Sequence, residues 1–270
     1  MIKFDYVSDL HIDYWDKKYW LDDQKENKKD FPFEWKPRSN ILVIAGDISD
    51  DITVSLEYIK HVKNFYKKII FIDGNHEHSH LYPELIQKNT VKTEKDIHYL
   101  GDEDVIIHKS VFIGACGWWD YDGEKEENIE EEYYVKKLGK EKNKIFAKNV
   151  MQRAKEEYFL IVQKLKKYSG NPDIDEIVLV THTVPLEIFS RNIATDFNTR
   201  FRQFLQEDLQ SYGVTRWIFG HNHKKFHHCL QGNHQKSLFL LSNPRGRPDD
   251  QDQESYSIKS TGMFLSEKDH

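Results

Sequence analysis

The chain of 270 residues holds only two cysteines, Cys116 and Cys229, far apart in sequence. That scarcity excludes a disulfide-stapled secreted scaffold and leaves two reduced thiols as the expectation. Long apolar runs are missing too. No window approaches the roughly 20 apolar residues that a membrane-crossing helix needs. In "MIKFDYVSDLH" acidic residues interrupt the first apolar stretch too early for a secretory leader. These absences set the expectation of a cytoplasmic protein with no membrane partner. Positive charge is also short: 39 Lys and Arg stand against 45 Asp and Glu, a formal net charge of −6. The global basic field that drives non-specific nucleic-acid binding is therefore lacking. The best basic clusters are "HNHKKFHH" and "RGRP". A nucleic-acid substrate stays open only through dications, which reverse the sign of an acidic pocket locally.

What is present describes a globular protein, with 38% hydrophobic and 31% charged residues. The length suits one α/β domain over residues 1–270, with an insertion at about 118–168 that is first acidic ("EKEENIEEEYY") and then helical. The helix is expected from about Ile145 to Tyr168, stopping at Gly170 and Pro172. The acidic stretch reads as a solvated face or as a lid over the substrate. Residues 22–36 read as a polar surface loop, with Trp20 and Trp35 packed on the body.

Short apolar runs recur along the chain: Ile2–Val7, Ile41–Ala45, Ile69–Ile72, Glu176–Val180 and Arg216–Phe219. Runs this short, rich in Ile and Val, suit strands buried on both faces. Between them lie stretches of helical period. One places Ile52, Leu56, Ile59, Val62 and Tyr66 on a stripe after caps at Asp50 or Asp51; the other carries Phe201, Phe204, Leu205, Leu209 and Tyr212 and stops at Gly213. Alternating strands and helices imply an α/β architecture with crossover connections. The tail, "SLFLLS", "SYSIKS" and "GMFLS", reads as antiparallel strands finishing a second sheet.

Each run ends on chemistry. Asp9 and His11 follow the first, Asp47 the second, Asn75 and His76 the third, His182 the fourth, and His221 and His223 the fifth. The carboxyl ends of parallel strands converge on one crevice, where ligands bind. Five coinciding polar ends make a shared site the default. Imidazoles mixed with aspartates suit Mn, Fe or Zn better than Mg or Ca. Seven ligand candidates exceed the four of a mononuclear site and suffice for two metals if one carboxylate bridges. His221 and His223, alternate residues of an extended segment, are expected on one face.

The ordered set "SDLH", "GDISD", "GNHE", "TH" and "GHNH" resembles the calcineurin-like metallophosphoesterase superfamily from residue 2 to residue 223. That resemblance implies a four-layer αββα sandwich of two mixed β-sheets flanked by helices. It implies one metal on Asp9, His11, Asp47 and His223, and a second on Asp47, Asn75, His182 and His221, with Asp47 bridging. His76 would then hold a phosphate oxygen or protonate the leaving group, and Asn75 would also border the substrate. The activity implied is phosphate-ester hydrolysis by in-line attack of a metal-bridging hydroxide, on a small molecule or nucleotide.

Departures from the family narrow the class. Ser/Thr protein phosphatases of the superfamily carry one arginine within the "GD" motif and one just before "GNHE"; here "GDISDDI" and "FIDGNHE" have none. Those arginines clamp a dianionic monoester, so their absence argues against a protein phosphatase, and a phosphodiesterase with some activity on monoesters is the expectation. A nuclease, a protein phosphatase and a catalytically silent scaffold are the alternatives. Asp50 matches the carboxylate that orients the histidine, or else caps the following helix. "SNPRGRP" resembles a segment of small bacterial and phage-type members, where Arg245 reaches the substrate or merely sits in a turn. His78 and His80 are expected to be exposed, and Thr183 and Pro185 to start a helix.

Overall fold

The apolar runs form the strands of two sheets, and the residues between them cover the outer faces. The computed structural model describes residues 1–15, 35–78, 94–121, 139–183, 206–232, 236–248, 250 and 256–261. The expectations on Trp20, His80, Pro185, the stretch 201–205, the acidic stretch 122–138 and "GMFLS" lie outside them.

In the first sheet β1 (Asp5–Val7), β2 (Ile41–Ala45), β3 (Lys68–Ile72) and β4 (Ile97–Tyr99) run parallel, and β11 (Lys259–Ser260) pairs antiparallel with β1. The second has the order β5 (Val105–Ile107), β6 (Ser110–Ala115), β7 (Glu176–Thr181), β8 (Val214–Phe219), β10 (Leu238–Ser242) and β9 (Phe226–Leu230). Its four central strands are parallel, and β5 and β9 close its edges antiparallel.

Because successive residues of a strand face opposite ways, each run feeds two cores. Val43 and Ala45 of β2 point between the sheets, with Phe4, Tyr6 and Ile70, toward Phe112, Val178 and Ile218 of the second sheet. Leu42 and Ile44 point outward onto Tyr58, Ile59 and Val62 of α1 (Ile52–Val62). On the far side Ile177 and Leu179 of β7 meet Ile161, Leu165 and Tyr168 of α2 (Lys140–Tyr168) and Leu209 of α3 (Gln206–Ser211). The layers are thus helix, sheet, sheet, helix, as the resemblance implies. Each fully buried aliphatic side chain contributes about 1.5–3 kcal/mol.

Asp51, not Asp50, caps α1, accepting from the amides of Thr53 (2.7 Å) and Val54 (3.4 Å). Helix α2 begins at Lys140, before the expected Ile145, and stops at Tyr168 ahead of Gly170, which adopts φ +70°. Its first half packs Phe146, Ala147 and Val150 on Trp118 and Trp119, and its second half is a flanking layer of the second sheet. Among the described residues no helix is long and apolar enough to cross a membrane.

The tail meets its expectation in part, since β10 lies in the second sheet and pairs antiparallel with β9. Strand β10 runs parallel to β8, and β11 joins the first sheet. The chain changes sheets at a parallel bridge between Ser8 and Pro244, where Ser8 N donates to Asn243 O (3.2 Å) and Arg245 N to Ser8 O (2.9 Å). The tail therefore stitches the two sheets together at their carboxyl ends.

Candidate metal centre

All the strand-end residues arrive at that seam. Asp9, His11, Asp47, Asn75, His76 and His182 are buried, and His221 and His223 are half-buried. The backbone is bent hard to turn them inward. Asp9 (φ 50°), His11 (44°), Asp47 (55°), His221 (72°) and His223 (51°) all adopt the left-handed conformation, which Asp and His tolerate better than most residues. Eight described non-glycine residues have positive φ, and five of them are these, so the strain concentrates at the site. His221 and His223 are therefore not alternate residues of an extended segment on one face. A left-handed turn sends them to different partners.

The expected ligands assemble into two groups. The ligand atoms of Asp9, His11 and His223 lie within 4.8 Å of one another, and so do those of Asp47, His182 and His221. His11 Nε2 is 2.9 Å from His223 Nε2, which is 3.6 Å from Asp9 Oδ1. His182 Nε2 is 3.3 Å from His221 Nδ1 and 3.1 Å from Asp47 Oδ2. The same Asp47 oxygen lies 3.8 Å from His11 Nε2, and so stands between the groups. Asn75 is buried on the adjoining loop.

Outer contacts aim the imidazoles. His182 Nδ1–H donates to Ala45 O (2.8 Å) and His223 Nδ1–H to Asp250 Oδ2 (2.6 Å), so each presents an Nε2 lone pair to the centre. Asp9 Oδ2 is buried with no hydrogen-bond partner among the described residues. Facing lone pairs and an unsatisfied carboxylate oxygen repel unless a cation lies among them, so the donor set fits divalent metal. Electrostatics agree. Burial favours protonation of Asp47, but His182 and His76 outweigh it and hold its pKa well below the usual carboxylate range. Burial disfavours charge on His182, yet Asp47 and Asp9 raise its pKa to about 10, so these carboxylates draw to Nε2 a proton that a bound cation would displace.

Two glycines make the approach feasible. A Cβ at Gly74 would overlap Asp47 Oδ1, and one at Gly220 would overlap Asp9 Oδ2. Behind them Glu77 accepts from four backbone amides, those of Asp47 (3.0 Å), Ile48 (2.6 Å), Ser49 (3.2 Å) and Gly74 (2.6 Å), and from Ser55 Oγ (2.9 Å). Burial pushes its pKa up to about 7. Each of these four amides can only donate, which fits the ionised form.

Beside the two groups His76 Nδ1 meets Asp50 Oδ1 at 2.6 Å, and its own amide donates to Asp47 Oδ1 (2.9 Å). Burial lowers the His76 pKa, but the carboxylates of Asp47 and Asp50 more than offset it and the net shift is upward. On its other nitrogen, Nε2 accepts from Arg247 Nη2 at 2.9 Å. Arg245 points elsewhere: its guanidinium stacks 4.2 Å from the Trp15 ring centroid, beside Asn222 and His223. Reading the sequence overlooked Arg247, Asp250 and Glu77. It also placed His78 at the surface, whereas the ring is buried and 2.6 Å from Asp73 Oδ2. Thr183 is buried, its hydroxyl bonded to Gly117 O.

The calcineurin-like phosphoesterase family model matches residues 2–225. The chain belongs to the calcineurin-like phosphoesterases. It is accordingly a metal-dependent phosphoesterase. Among solved structures, the phosphopantetheinyl hydrolase of Mycobacterium tuberculosis superposes with a TM-score of 0.59 at 13% identity, over 91% of this chain and 90% of that one. That likeness is one of fold. The anchor protein of the inner membrane complex of Plasmodium is 12% identical, with a TM-score of 0.39 over 90% of this chain and 71% of its own. Comparison of the sequence with curated proteins gives no match.

Proposed function

We propose that this phosphoesterase is a two-metal phosphodiesterase, holding one cation on Asp9, His11, Asp47 and His223 and the other on Asp47, Asn75, His182 and His221. The observation that carries the reading is the Asp50–His76–Arg247 chain beside Asp47, at 2.6 and 2.9 Å. Bound there, divalent cations such as Mn, Fe or Zn would polarise the phosphoryl group and acidify a water.

The protein's own residues do the rest. Asp50 accepts from His76 Nδ1–H and favours the imidazolium, whose Nε2–H, once turned from Arg247 to the substrate, would hold a phosphoryl oxygen or pass a proton to the leaving group. Arg247 presents its guanidinium at the same place, packed 5.0 Å from the Tyr14 ring centroid. It supplies a directed cation for one phosphoryl oxygen. The loops 46–52 and 71–77 add no arginine to it. One guanidinium suits the single charge of a diester better than the double charge of a monoester.

The test is hydrolysis of bis-p-nitrophenyl phosphate against p-nitrophenyl phosphate by protein stripped and reloaded with Mn, with His76→Ala as control. Diester turnover that disappears with chelator and falls about 10²–10⁴-fold in the variant is expected. Preference for the monoester would overturn the diesterase reading.

A further inference from the structure

Asp250 stands where two parts of the site meet. Its Oδ2 accepts from His223 Nδ1–H (2.6 Å) and from the Arg247 amide (2.5 Å), so a single oxygen holds both. A bond in the other direction closes the turn, Asp250 N donating to Arg247 O at 3.0 Å. Ahead of the turn, Arg245 N and Gly246 N donate to Ser8 O and Asp9 O, each at 2.9 Å. Gly246, at φ +76°, leaves the space that the carboxylate fills, since a Cβ there would lie 2.6 Å from Asp250 Oδ2.

The two groups that share this oxygen face different tasks. His223 belongs to the first proposed ligand set, with Nε2 2.9 Å from His11 Nε2. Arg247 reaches the other way, its Nη2 2.9 Å from His76 Nε2. A carboxylate on the outer nitrogen of an imidazole fixes the ring and raises its basicity toward a cation. A carboxylate on the Arg247 amide fixes the point from which the guanidinium extends, and a long side chain aims accurately only from a held backbone. We propose that Asp250 is a positioning residue common to both halves of the site. Through His223 it sets affinity for the cation of the first ligand group, and through Arg247 it sets KM for the ester. This rests on the proposed ligand set and on the substrate-facing role of Arg247, and adds that one carboxylate couples them.

The test combines metal binding with a double-mutant cycle. Mn binding to the stripped protein is measured by calorimetry, and KM and kcat for bis-p-nitrophenyl phosphate at saturating Mn. The proteins are the wild type, Asp250→Ala, Asp250→Asn, Arg247→Ala and the Asp250→Ala/Arg247→Ala pair. Asp250→Ala is expected to weaken Mn binding about 10-fold. It should also raise KM about 5-fold, more than it lowers kcat. In the Arg247→Ala background the same substitution should leave KM where it is while still weakening Mn binding, a non-additivity that general loosening of the fold would not produce. Asparagine keeps an oxygen acceptor for both donors, so Asp250→Asn should hold KM within about 2-fold of the wild type and bind Mn less tightly. Unchanged Mn affinity or unchanged KM in Asp250→Ala would overturn the proposal, and so would a KM effect that persists without Arg247. An asparagine variant with the KM of the alanine variant would overturn it as well. If Arg247→Ala lowers kcat/KM and Asp250→Ala does not, the coupling alone falls. If Arg247→Ala leaves kcat/KM at the wild-type value, the role of the guanidinium in the diesterase reading falls together with the coupling.

Discussion

Asp50 Oδ1 lies 2.6 Å from His76 Nδ1, and that contact decides which imidazole nitrogen faces the reacting centre. Asp51 supplies the helix cap, so Asp50 is left to act on the histidine. Asp50→Ala should lower kcat by about 10–100-fold, the range typical of a lost orienting partner. Metal content should stay at the wild-type level, because Asp50 is not among the proposed ligands. A variant that loses its metal along with its activity would show that Asp50 acts as a ligand.

Arg247 should separate charge from geometry. Arg247→Lys keeps the cation but loses the planar fork, and Arg247→Ala loses both. The expected order of kcat/KM on a diester is wild type, then lysine, then alanine, with about 10-fold or more between the ends. Equal activity of all three in steady-state assays would remove Arg247 from the substrate site.

Glu77 clamps two ligand-bearing loops at once. Glu77→Gln replaces acceptors by an amide whose NH2 must face backbone N–H donors. Each spoiled bond to the buried carboxylate costs about 1.5–3 kcal/mol. A drop in Tm together with reduced metal occupancy by elemental analysis is expected. A fall in Tm with full occupancy would confine Glu77 to stability.

Gly74→Ala tests the close approach of backbone and ligand. Its Cβ would overlap Asp47 Oδ1, so the bridging position must shift. Folded protein by circular dichroism, with metal content and turnover both lost, is the expected outcome. Retention of both would mean that the loop yields freely.

Far from the centre, Glu176 and Arg216 form a buried ion pair, joined by Ser110 Oγ (2.7 Å) and the Ile2 amide (3.1 Å). Burial alone would raise the Glu176 pKa, but Arg216 overrides it and the net shift is downward. A carboxyl whose folded pKa is depressed contributes stability above its unfolded value, near 4.5, and loses that contribution as pH falls through the folded value. The Tm advantage of wild type over Glu176→Gln should therefore be full at about pH 6 and shrink below about pH 4. A gap that widens toward acid would reverse the assignment.

The sequence showed the strands that end in chemistry and hid those that do not. "SVFIGA" forms the fully buried β6, yet nothing polar follows it; its Gly114 lies against Val180 O, a contact no local pattern announces. "FHHCL" forms the edge strand β9 with His227 and His228 exposed, so its polar content masked it. The proposed ligand residues were legible because strand ends in register converge. The arginine was not. Gly246 adopts φ +76° between Arg245 and Arg247, which breaks the alternation by which one would choose between them. Glu77 stands in a quoted motif, but which amides a buried carboxylate gathers depends on loops that are distant in sequence.

The proposed ligands come from both sheets, three strands of one and two of the other, and meet where the sheets touch at Ser8 and Pro244. The centre is therefore a gauge of how the halves of the sandwich are seated. Phe4 and Phe112, whose rings cross at 5.3 Å in the layer between the sheets, touch no ligand, yet trimming either lets one half settle against the other. Loss of hydrolysis in a mutational scan will then extend well beyond the polar residues, into apolar positions whose only task is to hold two sheets in register.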